Sequence, residues 1–487
     1  MAITDVIASR VTEKVLTHSL SGKPKDLKLL ARAARYVKGP GTRAFMQSFA
    51  RDLETGTGLF PQIFLRAGQL ANPTAKRKLV KNLVCRWGLE GPKIRAELRE
   101  KGTWAPSLIV ISPSMRCNLR CTGCYSGLYE KEGELSEQEI EKILDEARSF
   151  GSYFVVVSGG EPYVHRDMWL RLFRKYDDMF FMTYTNGTLL DQATVDELAR
   201  LGNVAPAISV EGFQEETDGR RGPGVHEKVC AAMERLHKAG VIFGISATYT
   251  RQNVSVVASE KFVRYYLEKG ALFGWYFMFM PVGKDPILDL VPTPEQRVEC
   301  GRRVAELRAK FPIFLADFWN DGPAVGGCLA GGRMYLHIVS SGSIEVCVFA
   351  HFGVDNIREK TILEAVNSDF FKSIRGQFPY NDNANLRRPC MILDNPEVLR
   401  SAVNEHIVKG HEHSEDIVRD PRVVAWVDDY AERFRALVDP VWEKEISDPK
   451  NRWYRENPEY KALFSLRTAR RRAPQRKETG GSISAAD

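Results

Sequence analysis

Cys117, Cys121 and Cys124 stand in a C-x3-C-x2-C arrangement. The chain has nine cysteines in 487 residues and no framework of the secreted disulfide type, so these three point first to metal or redox chemistry. Three thiolates on a short loop can hold three irons of a [4Fe–4S] cube and leave the fourth iron without a protein ligand. The spacing alone also admits a structural zinc site. Zinc usually takes four closed ligands, commonly from two cysteine pairs, and no second pair lies nearby. A second motif, Gly159-Gly160-Glu161-Pro162, adds glycines that let backbone approach a ligand closely and a carboxylate that can accept from an ammonium group.

The segments around these motifs explain how they could meet. The cysteine loop follows the apolar run SLIVIS (107–112), and the glycine motif follows YFVVVS (153–158). MFFMTYT (179–185), VAPAISV (204–210), VIFGISATY (241–249) and FGWYFMFMP (273–281) continue the series. Helical stretches near 136–149, 166–176, 191–201, 225–239, 257–269 and 293–311 alternate with them. Six strand–helix repeats predict an α/β fold, a parallel sheet wound with helices, either open or closed into a barrel. In such folds chemistry sits at the C-terminal ends of the strands, where both motifs fall. Residues 1–100 read as helices broken at Gly39-Pro40-Gly41, Asn72-Pro73 and Gly91-Pro92. Beyond the repeats, RMYLHIVS (333–340) and SIEVCVF (343–349) flank Ser341-Gly342 as a hairpin, and 361–375 reads as a helix. The chain past Cys390 is mainly helical, and 467–487 is poor enough in apolar residues to expect disorder.

A C-x3-C-x2-C loop after the first strand, with GGEP after the second, closely resembles the radical SAM superfamily, over roughly residues 107–285. The resemblance implies a partial (β/α)6 TIM-like barrel over 105–315. It also implies S-adenosylmethionine (SAM) chelated to the open iron of a [4Fe–4S] cluster and cleaved reductively to a 5′-deoxyadenosyl radical, which abstracts hydrogen from an unactivated C–H bond. Carried over residue by residue, Cys117, Cys121 and Cys124 would ligate the cluster and Tyr125 would lie against the adenine. Gly159, Gly160 and Glu161 would hold the methionyl amino group. Asn186, in Thr185-Asn186-Gly187, follows strand three, where the family often places groups near the ligand. Ser209 in ISVEG resembles the serine of an ISxDG segment that contacts SAM, with Glu211 here in place of the Asp. Arg221, or its neighbour Arg220, would grip the SAM carboxylate. The family also implies an external electron donor of the flavodoxin or ferredoxin type.

Cys328, thirteen residues, Gly342, four residues and Cys347 resemble the opening of SPASM and twitch domains, which carry auxiliary [4Fe–4S] clusters; Cys390 would be a later ligand. Six cysteines remain beside the first three, too few for two fully cysteine-ligated auxiliary clusters. A single twitch-like cluster in a small α+β domain at 316–400 is the expectation. Its fourth position stays open among Cys300, Cys85, His351, Asp394 and a substrate. Helical extensions complete the layout, at 1–104 and 401–466, before the tail at 467–487.

The strand at 273–281 bears on the substrate. Alternation sends either Trp275, Phe277 and Phe279 or Tyr276, Met278 and Met280 inward, and either face makes a bulky apolar wall. Tyr276 is a candidate hydrogen-atom or proton relay. Residues 1–100 carry a net charge of +11 and residues 467–487 of +4, around an acidic body. A membrane lipid or isoprenoid, with peripheral contact to an anionic bilayer, fits the apolar strand and basic N-terminus. A peptide fits the SPASM/twitch kinship. The basic ends alone do not argue for nucleic acid, since no nucleic-acid-binding motif accompanies them. A non-catalytic iron–sulfur scaffold or electron carrier could use the same cysteines, but would have no need of GGEP and Arg221. No run of 18 apolar residues and no signal-peptide pattern is present, so a cytoplasmic location is expected.

Overall fold

The computed structural model describes residues 13–14, 16–18, 20–23, 59–127, 133–282, 286–408, 410 and 416–448. The tail at 467–487 and much of the basic N-terminal extension lie outside the described residues. The apolar runs form strands β1 (Leu108–Ser112), β2 (Phe154–Val157), β3 (Phe180–Thr185), β4 (Val204–Val210), β5 (Gly244–Tyr249) and β6 (Phe273–Met278), each parallel to the next. In β1, β3 and β4 the β-branched and aromatic residues are buried on both faces, as expected of a covered parallel sheet, whereas β6 is fully buried on one face only. The helices between them begin at side-chain caps. Ser136 accepts from the Glu139 N–H while Glu139 accepts from the Ser136 N–H at 2.7 Å, and Asp191 and Thr293 cap the helices Gln192–Leu201 and Pro294–Lys310.

The sheet is larger than six repeats predict. A seventh parallel strand, β7 (Phe314–Asp317), extends the β6 edge. Its four residues, behind Pro312, are too short an apolar run to read as a strand. On the other edge β8 (Tyr335–Val339) pairs parallel to β1. It turns back antiparallel into β9 (Ser343–Glu345), and β10 (Asp355–Asn356) closes the order β10-β9-β8-β1-β2-β3-β4-β5-β6-β7. The hairpin read after the barrel is therefore part of the barrel's own sheet. Its helix at 361–375 is two, Ile362–Val366 and Asp369–Gln377, because Ser368 caps a new start.

The described N-terminal helices close the bottom of this sheet. Asn72 donates to the carbonyls of Ala199 and Ala239, Asn82 to those of Asp177 and Met179, and Trp87 to that of Ser107, at helix ends and turns that lead into strands. Lys78 pairs with Asp177 at 2.6 Å, Arg86 with Asp178, and Arg66 donates to the Ala271 carbonyl. These basic side chains are turned onto the barrel rather than outward. Among the described residues no helix is long and apolar enough to cross a membrane.

The C-terminal helix Pro421–Ser447 is held against Pro294–Lys310 by a buried knot. Arg297 donates to both oxygens of Asp394 (2.5 and 3.0 Å) and lies 3.8 Å over the Phe434 ring. Asp394 also accepts from the Cys390 N–H at 3.0 Å. Removing one partner would leave an uncompensated buried charge. Arg297→Met is expected to lower unfolding free energy in urea by about 3–5 kcal/mol, with the double variant Arg297→Met/Asp394→Leu recovering part of the loss.

Candidate functional site

The cysteine loop is fixed by backbone before any side chain acts. Past the ends of β1 and β2 the ladder continues: Gly160 N–H donates to the Ser114 carbonyl (3.0 Å) and Glu161 N–H to that of Arg116 (2.8 Å). This approach is what requires the two glycines. A Cβ on Gly159 would sit 2.4 Å from the Ser114 oxygen, and one on Gly160 would sit 2.0 Å from the Arg116 oxygen. Gly159 also has φ +108°. What the glycine backbone meets closely is the stem of the cysteine loop.

Glu161 is 2% exposed and organises the floor of the site. One oxygen accepts from Thr185 Oγ1 (2.7 Å) and the Tyr163 N–H, the other from the Asn186 N–H (2.7 Å). Burial nevertheless raises its carboxyl to about 7, against the pull of these donors and of Arg221. Asn186 reaches back to the loop, donating to Asn118 Oδ1 (2.8 Å) and lying 3.9 Å from Cys117 Sγ. Asn118 in turn donates to Thr188, which bonds Asn186. Neither Asn118 nor Thr188 carries a signal in the sequence.

The far side of the loop is held by arginines. Arg220 donates to the Thr122 carbonyl and Thr122 N–H donates to that of Arg220. Arg220 and Arg221 converge on a single oxygen of buried Glu211, at 2.7 and 2.5 Å. Glu211, which stands where the resembled segment has Asp, anchors both arginines. The Arg221 charge lowers the Cys121 thiol, but burial outweighs it and the thiol lies above its ordinary value. Burial raises Cys117 as well, with Glu161 adding to the effect. Neutral thiols beside two arginines gain their charge when a metal replaces the proton, so the donor set fits an iron–sulfur cluster. Among the described residues no three His, Cys, Asp or Glu groups converge on a single ion. A cube asks for something else, since each thiolate binds a different iron.

Tyr125, next after the third cysteine, bonds Ser158 Oγ at 2.8 Å and meets the Phe349 ring edge-on at 5.4 Å. Ser209 is half-buried on β4, in register with Ser246 and, one strand further, Trp275. The inward face of β6 is the Trp275/Phe277 set: these rings stack at 6.2 Å, and Phe277 meets Tyr184 of β3 and Phe318. Phe279 lies against Gly123 in the cysteine loop. Tyr276 faces the other way. It is fully buried, its hydroxyl donates to the Val257 carbonyl at 3.0 Å, and its ring packs on Phe262 of the helix layer. The relay role considered for Tyr276 is therefore withdrawn.

Cys328, Cys347 and Cys390 come from three separate segments into one neighbourhood. Cys347 and Cys390 each bear electrostatically on Cys328 or are raised by it, and burial pushes the Cys328 thiol up to about 12. Tyr335 Oη lies 3.2 Å from Cys347 Sγ. Cys300 is elsewhere, buried in the helix Pro294–Lys310 near Asp317 and Tyr276, and Cys85 belongs to the N-terminal cluster.

A family description, the radical SAM superfamily, matches residues 111–253. The chain carries a radical SAM domain. It is 27% identical over 325 residues to the AdoMet-dependent heme synthase of Methanosarcina barkeri (strain Fusaro / DSM 804), covering 61% of this chain and 90% of that one. Identity to the PqqA peptide cyclase of Rhizobium meliloti (strain 1021) is 27% over 298 residues, 56% of this chain and 76% of that one. Among solved structures, Streptococcus suis SuiB bound to precursor peptide SuiA superposes with a TM-score of 0.50 at 18% identity, over 68% of this chain and 80% of that one, and shares the fold. This radical SAM chain is an enzyme, and its cofactors are SAM and [4Fe–4S] chemistry.

Two predictions test the geometry. Gly160→Ala is expected to cost the anaerobically reconstituted protein about four irons per chain, because the added methyl forces the loop stem away. Glu161 keeps its proton in the folded chain between about pH 4.5 and pH 7, where the unfolded chain has released it. The folded state then binds more protons, so this residue's contribution to stability falls as pH rises through that window. Urea unfolding of Glu161→Gln against wild type should show the variant gaining about 2 kcal/mol relative to wild type between pH 5 and pH 7.5.

Proposed function

We propose that this radical SAM enzyme matures a peptide, oxidising or cross-linking it at an unactivated C–H bond. The observation that carries the chemistry is the convergence of the Cys117/Cys121/Cys124 loop, Glu161 and Arg221 at the C-terminal end of the sheet, open toward an aromatic barrel interior. The likeness to a peptide cyclase supports the substrate class. The membrane-lipid or isoprenoid reading drew on basic charge in the N-terminal region, and Lys78, Arg86 and Arg66 there are engaged in closing the barrel.

Cys117, Cys121 and Cys124 would hold the first cluster, and Cys328, Cys347 and Cys390 an auxiliary one. Tyr125, Gly159, Gly160, Glu161, Asn186, Ser209 and Arg221 would surround SAM. When bound, the cluster and SAM together supply a 5′-deoxyadenosyl radical, given an electron from an external flavodoxin- or ferredoxin-type donor. Glu161 offers its buried carboxylate to an ammonium group, which would draw off its proton. Arg221, anchored by Glu211, presents positive charge to a carboxylate beside the loop. Trp275, Phe277 and Tyr184 line the barrel interior with aromatic surface, which disfavours water where a carbon radical must be protected from side reactions. Tyr125 and Phe349 join the two thiol groups by ring contact.

A tetrapyrrole substrate is the second reading. It is favoured by the heme synthase, whose length this chain covers at 90%, and by the flat stacked rings of Trp275 and Phe277. Reconstituted protein with dithionite should form 5′-deoxyadenosine, and addition of a peptide substrate selected from a pool of short synthetic peptides should raise the rate more than tenfold. Stimulation by an iron porphyrin alone would transfer the assignment to the second reading. Cys121→Ala is expected to abolish SAM cleavage, whereas Cys390→Ala should still cleave SAM yet lose the modified peptide by mass spectrometry.

A further inference from the structure

Three thiols leave one position of a cube unfilled, and the neighbourhood of Cys328, Cys347 and Cys390 holds an unused donor. Tyr380 is 4% exposed, and its hydroxyl has no hydrogen-bond partner among the described residues. A buried hydroxyl without a partner is costly, and Tyr380 also adopts φ +72°, rare for any residue but glycine. Its oxygen lies 3.2 Å from where a Cβ on Gly331 would stand, three residues past Cys328. Gly331 N–H donates to the Val346 carbonyl at 2.7 Å, which places the same spot beside Cys347. The hydroxyl is within electrostatic reach of all three thiols and of Arg333, whose guanidinium donates to the Cys328 carbonyl at 2.7 Å. The other candidates are engaged or distant. Asp394 has both oxygens on Arg297, His351 Nε2 lies 3.0 Å from the Val348 carbonyl, and Tyr335 meets Cys347.

We propose that Tyr380 Oη is the fourth ligand of the auxiliary cluster held by Cys328, Cys347 and Cys390. The inference rests on the auxiliary-cluster assignment of those three cysteines made above. Ligation breaks the Tyr380 O–H bond during assembly, sends the proton to solvent and forms one O–Fe bond, with no electron transferred. A cluster closed in this way has no iron open to substrate, so its role is to carry electrons away from the barrel rather than to bind the peptide.

The test uses the full chain, reconstituted anaerobically with iron and sulfide. Resonance Raman of wild type should show iron-bound phenolate modes that shift when the protein is labelled with ring-deuterated tyrosine. They should persist in a Cys117/Cys121/Cys124→Ala triple variant and vanish in Tyr380→Phe. In the Cys117/Cys121/Cys124→Ala background, brief ferricyanide treatment should remove about one iron per chain when Tyr380→Phe is added and produce a [3Fe–4S] paramagnetic signal, while adding Tyr380→Cys instead leaves the iron in place. Tyrosine-insensitive spectra in a wild type that carries about eight irons would overturn the ligand assignment and leave the auxiliary cluster standing. A Cys328/Cys347/Cys390→Ala variant with undiminished iron would instead overturn the auxiliary cluster itself. The wild-type Raman measurement decides the matter even if Tyr380→Phe does not fold.

Discussion

The site depends on two backbone hydrogen bonds made beyond the ends of β1 and β2, from Gly160 to Ser114 and from Glu161 to Arg116. They prolong a parallel ladder past the point where both strands have stopped. Three consequences follow from that one approach. The stem of the cysteine loop is rigid before any metal arrives. The Glu161 carboxylate is delivered beneath the loop. Asn186, reached by Glu161 from β3, is brought within range of Cys117. No side chain with a β-carbon could occupy Gly160 without separating the two strands. The chemistry of the motif is in Glu161, but its geometry is in the glycines.

A second constraint ties the two thiol groups together. Because β8 adds to the β1 edge rather than forming a sheet of its own, the segment carrying Cys347 is anchored to the strand that carries the Cys117 loop. His337 on β8 sits in the middle of this junction, with Nε2 2.7 Å from Ser112 Oγ and Nδ1 2.9 Å from Glu345 Oε2. All three are fully buried, so the polar row fixes register where an apolar pair could slip. The Tyr125–Phe349 contact then links the residue after Cys124 to a ring two residues past Cys347. An electron passing between the two thiol groups would cross packed protein rather than solvent.

Six of the parallel strands were readable from the sequence because a doubly covered strand is a continuous apolar run, and their helices because caps and amphipathic spacing mark them. The seventh was not, since four residues carry no period. The inward face of β6 could not be chosen from alternation, because both faces are apolar; only packing decides it, and it sends Tyr276 into the helices. The cysteines and GGEP declared themselves by type and spacing. Asn118, Thr188 and Tyr380 could not, because ordinary polar residues acquire meaning only from what the fold sets beside them. Glu211 was visible as a substitution, but its bond to both arginines was not.

That substitution shows how the site balances charge. Two guanidinium groups on successive residues would repel in a buried corner unless a carboxylate lay between them, and Glu211 places one oxygen against both. The side chain is one methylene longer than Asp. The anchored charge faces Cys121, where it opposes the burial that keeps the thiol protonated. Glu161 stands opposite, and burial drives it toward its neutral form. The site thus holds cationic donors on one wall and a reluctant carboxylate on the other. A zwitterionic amino-acid headgroup supplies the complement of both walls, its ammonium to Glu161 and its carboxylate to the arginine side, so one ligand can relieve both electrostatic costs at once.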